Sequence, residues 1–359
     1  MKPLTLVIAA ALVALAGGTA FTQSEVLDPA RNPLPNPTAT VIKDWGKLPD
    51  GRVWGSSAGV DIGPDGHIWS YDRCGAIQLN EGGCDNSPLN PIVKFDRNTG
   101  RILASFGAGL FVVPHGIHVD RDGNVWVTDS QGNKAGNKGH QVIKFSPDGK
   151  VLMRIGHPGM AGGGAVMLNE PCDVITAPNG DIFVADGHSG QNPNAPPNTT
   201  ARIVKYSKDG KFIKEWGKLG SGPGEFRTPH ALAFDSRGRL FVADRGNHRI
   251  QIFDQDGKLL DTWHQFSRIS GLFIDRNDVL YAIDSESNMM RHPDWKTGVR
   301  IGTTREDKVT AFIPGHETKN YEGAAGEGVA VDADGNVYAA EGPASRPVAG
   351  SGLTKYVRR

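Results

Sequence analysis

Two histidines in this chain sit in matching phrases, Val113-Pro114-His115-Gly116-Ile117 and Thr228-Pro229-His230-Ala231-Leu232. Each follows a proline, which fixes the local backbone and removes an N–H donor. A carboxylate, Glu327, stands at the equivalent point of a third phrase, Gly326-Glu327-Gly328-Val329. Two imidazoles and a carboxylate converging on one point make a three-ligand metal site with open positions. Zinc is the first choice for that donor set, and iron or manganese ligation reads the same way. Cys172 shares the register of the two histidines and is either a fourth ligand or a buried structural thiol. Three more residues are placed to act on a bound molecule. Arg73 and Arg245 follow the recurring aspartates Asp72 and Asp244, and a guanidinium there suits a substrate carboxylate or a developing oxyanion. His188 follows Asp186-Gly187 and is a candidate acid/base.

The equivalence of these positions comes from an internal repeat. A hairpin phrase of alternating apolar residues, a polar turn, and a second alternating run ending in an acid occurs six times. It starts at Gly59, Gly116, Asp173, Ala231, Gly271 and Gly328, at spacings of 57, 57, 58, 40 and 57 residues. Period-2 alternation around a short turn is the pattern of a β-hairpin. Third strands follow (RIVKYS from Arg202, RIQIFD from Arg249), then fourth strands (FIKEWG from Phe212, LLDTWH from Leu259). Four antiparallel strands repeated six times predict an all-β, six-bladed β-propeller. The last copy has a third strand, LTKYV at Leu353, but no fourth, while VIKDWGK at Val41 matches the fourth-strand phrase FIKEWGK. The N-terminal strand is therefore expected to complete the last blade. The fifth copy is the weakest; alternation alone places its outer strands near Thr297 to Thr304 and Val309 to Pro314. First strands line the central channel of such a ring. The residues just before them, Ala58, His115, Cys172, His230, Ser270 and Glu327, then surround one mouth. The repeated acids at the ends of the second strands return to that mouth and are read as backbone-binding groups.

Composition agrees with this architecture. The 359 residues include 47 Gly and 23 Pro, a density of turn formers suited to many short strands. Lys plus Arg and Asp plus Glu are 39 each, so no net field favours nucleic acid or an anionic membrane. Residues 1–20 read as an export signal: Lys2, an apolar run from Leu4 to Ala16, then Gly18 and Ala20 at the spacing of a cleavage site. Residues 21–39 read as a leader and 40–359 as the propeller. The expected product is an exported, periplasmic or secreted monomer with no membrane attachment once the signal is cleaved. An oxidising compartment permits a disulfide between Cys74 and Cys84.

The repeats resemble NHL repeats. The stretch from about Trp45 to Asp284 resembles the peptidyl-α-hydroxyglycine α-amidating lyase family. The motifs that carry the likeness are YDR at Tyr71, VPHGIHVDRDGNVWVTD, EPCDV, ADGHSG, RIVKYSKDGKFIKEWG, TPHALAF and VADRGNHRIQIF. The resemblance implies zinc on three histidines, two arginines at the substrate, a tyrosine base, and cleavage of a carbinolamide C–N bond to an amide and glyoxylate. His115 and His230 match two zinc ligands, and Arg73 and Arg245 match the arginines. The third zinc histidine falls on Glu327 and the tyrosine on His188, followed by an insertion through Thr200. The family's structural calcium implies backbone contacts from Val60 and Ile117, with Gly328 in place of its aspartate. The leading expectation is an exported metal-dependent lyase or hydrolase acting on a small molecule or peptide. A non-catalytic NHL scaffold that binds a protein or glycan, and a gluconolactonase-like lactonase, are the other two classes.

Overall fold

A computed structural model describes residues 26–49, 51–76, 83–318, 321–341 and 352–359; the export signal of the sequence reading lies outside them. Six four-stranded antiparallel sheets follow one another around a ring. The third blade shows the pattern. Its strands are Pro171–Thr176, Ile182–Asp186, Arg202–Tyr206 and Phe212–Trp216. The second and third are buried along their whole length, whereas the fourth has three exposed residues in five. The apolar alternation follows from this: inner strands pack between neighbouring blades on both faces, and outer strands meet water. Aromatic residues fill the gaps between blades. Trp69, Phe106, Phe111 and Phe145 join the first and second, and Phe183, Phe234, Trp216 and Phe253 join the third and fourth.

The ring closes as the sequence predicts. Thr38–Ile42 pairs antiparallel with Leu353–Arg358, with Val41 opposite Tyr356, so the start of the chain supplies the outer strand of the last blade. The fifth blade, read only from alternation, has its outer strands at Gly298–Thr303 and Val309–Pro314. A two-stranded hairpin, His316–Thr318 with Tyr321–Ala324, connects it to the sixth.

The leader is more than an approach to the fold. Asp28 is buried, and its Oδ1 accepts from Arg300 Nη2 at 2.8 Å while Oδ2 accepts from the Lys296 amide at 2.9 Å. Phe312 N donates to Pro35 O at 3.0 Å, and Leu34 packs on the core between the fourth and fifth blades. The segment straps the outside of the fifth blade. Around the channel, His118 fastens three blades: Nδ1 lies 3.1 Å from Asp61 Oδ2 and Nε2 lies 2.9 Å from Thr176 Oγ1.

Arg300 and Asp28 are both fully buried, and without Asp28 the guanidinium keeps only its longer pairing with Asp284 Oδ2 at 3.8 Å; breaking a buried pair by removing one partner costs about 3–5 kcal/mol. Asp28→Ala is expected to lower the unfolding free energy by that amount in urea titration, although it lies before the first strand.

Candidate metal centre

The mouth is shaped by a local irregularity in three consecutive blades. In the fourth, Pro229 pairs with Asp244 but Ala231 pairs with Ala243, so His230 is an extra residue in its strand. Register slips in the same way between Pro171 and Asp173 around Cys172, and between Pro114 and Ile117 around His115 and Gly116. A bulge bends the strand and re-aims the side chain it carries. The acids at the second-strand ends hold the loops that lead into these bulges. Asp129 accepts from the amides of Val112 and Val113, Asp186 from Asn169, and Asp244 from Arg227, at 2.7 to 3.1 Å. These three bind the loop before their own blade's first strand, whereas Asp284 accepts from the amides of Glu286 and Ser287 in the turn that follows it, and Asp72 accepts from both sides, Gly55 N and Gly75 N. Burial pushes Asp129 and Asp186 up to about 7, against the hydrogen bonds that favour their charged forms and, for Asp186, against the charge of Arg202.

Three imidazoles meet at the mouth. His115, His188 and His230 offer ring nitrogens that all lie within 4.8 Å of one another. Their ring centroids are 4.8 Å apart for His115 and His230, 5.1 Å for His115 and His188, and 5.6 Å for His188 and His230. Carbonyls of the next blade orient two of them. His115 Nδ1 faces the carbonyl of Cys172 at 2.9 Å, and His230 Nδ1 faces that of Ser270 at 2.6 Å. A carbonyl only accepts, so each Nδ1 carries the hydrogen and each Nε2 keeps its lone pair. His230 Nε2 is buried without a hydrogen-bond partner among the described residues. An orphaned acceptor costs free energy unless something fills it. This orientation by a carbonyl on the far nitrogen is the usual support of a metal-bound histidine. The donor set, all imidazole, fits zinc and also iron.

Burial is the main reason the three imidazoles resist protonation. It holds His115 and His230 well below the ordinary histidine range and lowers His188 to about 3. The Arg245 charge pushes His188 and His230 the same way, and for His115 the second cause is His188. Neutral imidazoles are the ligand form.

The sequence reading placed His115 and His230 together, and the structure does so. It expected Glu327 as their third partner and His188 as the proton carrier; the structure instead brings His188 into the cluster, with Glu327 outside it. The reason is local. Gly187 has φ 123°, and a Cβ there would lie 2.0 Å from the carbonyl oxygen of Thr200. The chain turns sharply there into the short 3-10 turn His188–Gln191, anchored by Ser189 N on Glu170 Oε2 at 2.8 Å and by Thr228 Oγ1 on the His188 carbonyl at 3.2 Å. Glu327 is buried at the start of the sixth blade. Burial raises its carboxyl, against the opposing charges of Arg245 and Arg73. Cys172 takes part through its carbonyl, and its thiol contacts Glu170 O at 3.6 Å. Cys74 and Cys84 form a disulfide. Val60 and Ile117 line a channel cavity of about 440 Å³ below the mouth. A Cβ on Gly328 would come 2.8 Å from the Ala58 carbonyl oxygen, so the sixth blade approaches the first through a missing side chain.

Both arginines stand at the mouth. Arg73 donates from Nε to the Pro114 carbonyl at 3.0 Å and from Nη1 to Ser56 Oγ at 3.1 Å, leaving Nη2 without a partner among the described residues. Arg245 donates from Nη2 to His188 Nε2 and to Gln191 Oε1, both at 3.1 Å, while Nε and Nη1 have no hydrogen bond among the described residues. Three residues absent from the sequence reading complete the wall. Gln191 Oε1 also accepts from Arg268 Nη2 at 2.5 Å, and Glu286 Oε2 accepts from Arg268 and pairs with Arg291. Gln191 lies in the insertion, where the repeat gives no register. Arg268 and Glu286 belong to the blade whose repeat is least regular.

A family model for the NHL repeat matches residues 226–253. The chain is 33% identical over 293 residues to peptidyl-glycine alpha-amidating monooxygenase B of Xenopus laevis, covering 78% of this chain and 31% of that protein. It is 36% identical over 174 residues to peptidyl-alpha-hydroxyglycine alpha-amidating lyase 1 of Drosophila melanogaster, covering 45% of this chain and 29% of that protein. The matches thus span about a third of those relatives' length. A gluconolactonase from Xanthomonas campestris superposes with a TM-score of 0.58 at 17% identity, covering 89% of each chain; at that identity the likeness is one of fold. The chain is an NHL-repeat six-bladed propeller that resembles the amidating lyases.

The three neutral imidazoles make stability fall with acid. An unfolded histidine takes up a proton near 6.5, whereas His188 in the fold waits until about 3. The unfolded state therefore binds more protons in between, and stability drops by up to about 1.4 kcal/mol per pH unit for each such group. Urea unfolding at pH 7.5, 6 and 5 is expected to show this slope, and His188→Gln is expected to make it shallower.

Proposed function

We propose that this protein is a metal-dependent lyase of the amidating type, which splits the C–N bond of an α-hydroxyglycine carbinolamide at the propeller mouth. The observation that carries the reading is the three-imidazole cluster flanked by two buried arginines whose donors are not all hydrogen-bonded among the described residues. His115, His188 and His230 would hold the ion, zinc in the first instance. When bound, such an ion supplies Lewis acidity toward a substrate oxygen. The rest falls to the chain. Nη2 of Arg73 and the open edge of Arg245 take the substrate carboxylate by charge-assisted hydrogen bonds. In the reaction the hydroxyl oxygen becomes the aldehyde carbonyl, the C–N bond breaks with its electron pair going to nitrogen, and the hydroxyl proton ends on that nitrogen. With His188 used as a ligand, Glu327 is the group left to carry the proton. It is buried at the mouth in the field of both arginines. An exported setting fits the disulfide and the signal-like N-terminus.

The test is turnover of an α-hydroxyglycine-terminated acyl amide to glyoxylate by the purified mature protein, with metal content measured alongside. About one zinc per chain with glyoxylate release, both lost in His230→Ala, is expected. Arg73→Ala is expected to raise KM for the carboxylate substrate by about 10- to 100-fold and to leave that for its methyl ester little changed. A folded wild type that takes up no metal would leave the propeller as a binding scaffold.

A further inference from the structure

His188 has one lone pair to give. A neutral imidazole carries one N–H and one acceptor nitrogen. Its Nε2 lies 3.1 Å from Nη2 of Arg245, and a guanidinium only donates, so Nε2 is the acceptor and Nδ1 bears the hydrogen. A metal ion needs that same lone pair, so the Arg245 bond and metal ligation by His188 exclude each other. His115 and His230 have no such conflict, because each gives its Nδ1 hydrogen to a carbonyl and so carries its lone pair on Nε2.

The donors of Arg245 are unevenly used. Nη2 has two hydrogens, and both have takers, His188 Nε2 and Gln191 Oε1. Nε and Nη1 are buried without hydrogen bonds among the described residues, and Nη1 stands 3.9 Å from Glu286 Oε2. A carboxylate gripped by two parallel N–H groups of a guanidinium uses Nη2 in either fork, with Nε or with Nη1. Such an anion therefore draws on a hydrogen that His188 or Gln191 now receives.

Resting on the reading of the imidazoles as metal ligands, we propose that Arg245 couples anion binding to metal binding. It holds the lone pair of His188, and a carboxylate that engages its Nη2 releases that lone pair to the metal. Anion and metal then favour each other, and the coupling is the same in both directions.

The experiment measures zinc affinity of the full mature protein by competition with a chromophoric chelator, with and without glycolate, chelation by glycolate alone being subtracted. Glycolate is expected to tighten zinc about tenfold in the wild type, within the usual range of such couplings. Arg245→Ala is expected to tighten zinc about tenfold without glycolate and to abolish the glycolate effect. Arg245→Lys, which keeps the charge but not the fork, is expected to abolish the glycolate effect while leaving zinc weaker than in Arg245→Ala. If Arg245→Ala fails to give a cooperative thermal transition, the wild-type and Lys measurements decide. Unchanged or weaker zinc binding in a folded Arg245→Ala, or a glycolate effect that survives in either variant, would overturn the coupling. His115→Ala and His230→Ala separate the two readings. Zinc retained in both would overturn the metal reading and the coupling with it, whereas zinc lost in both beside an inert Arg245→Ala overturns the coupling alone.

Discussion

Two hydrogen bonds across blade boundaries underlie the site: His115 Nδ1 to the carbonyl of Cys172, and His230 Nδ1 to the carbonyl of Ser270. Each decides which nitrogen of the ring carries the hydrogen, and so which nitrogen faces the axis with a lone pair. They form only if neighbouring first strands lie close together at the mouth, if a bulge turns each histidine out of its sheet, and if the preceding loop is fixed. The ring supplies the first condition, the extra residue at each histidine the second, and the buried Asp129 and Asp244 the third. Alternate ring positions thus divide the work. Blades two and four give the two imidazoles so oriented, blades three and five give the carbonyls that orient them, and blade three adds His188 from the turn after its second strand.

Burial drives the acids and the imidazoles here alike toward their neutral forms. It keeps the imidazoles neutral, which suits cation binding, and raises the loop-holding aspartates toward neutrality, against the hydrogen bonds and neighbouring cations (Lys138, Arg202 and Arg249) that favour the charged form. The same burial leaves guanidinium donors of Arg73 and Arg245 without hydrogen bonds among the described residues. A buried unsatisfied donor is costly, and a cluster of them beside orphaned imidazole nitrogen is a site that gains by accepting an anion and a cation together. Arg268, Glu286 and Gln191 hold the back of this cluster, and Glu286 sits among three arginines whose charges keep its carboxyl well below the usual range.

The repeat made the blades, their closure by Val41 opposite Tyr356, and the convergence of His115 with His230 legible in the sequence, because each depends on period-2 alternation and on register. The positions of His188 and Gln191 do not follow from the repeat. They lie where Gly187 turns the chain against Thr200 and a 3-10 turn replaces the usual strand connection. Register arguments therefore put Glu327 in the cluster, whereas the turn puts His188 there. The role of Asp28 was hidden for a different reason: its partner Arg300 is distant in sequence and lies in the least regular blade. The part played by Cys172 was hidden because it acts through its main chain, which side-chain identity does not reveal.

The most direct test of the account is anomalous diffraction at the zinc edge from crystals of the zinc-loaded protein. The account predicts one strong peak at the mouth, bonded to His115 Nε2, His230 Nε2 and a ring nitrogen of His188, at about 2.0–2.1 Å. A peak held by His115, His230 and Glu327 with His188 standing off, or no peak at the mouth, would contradict it.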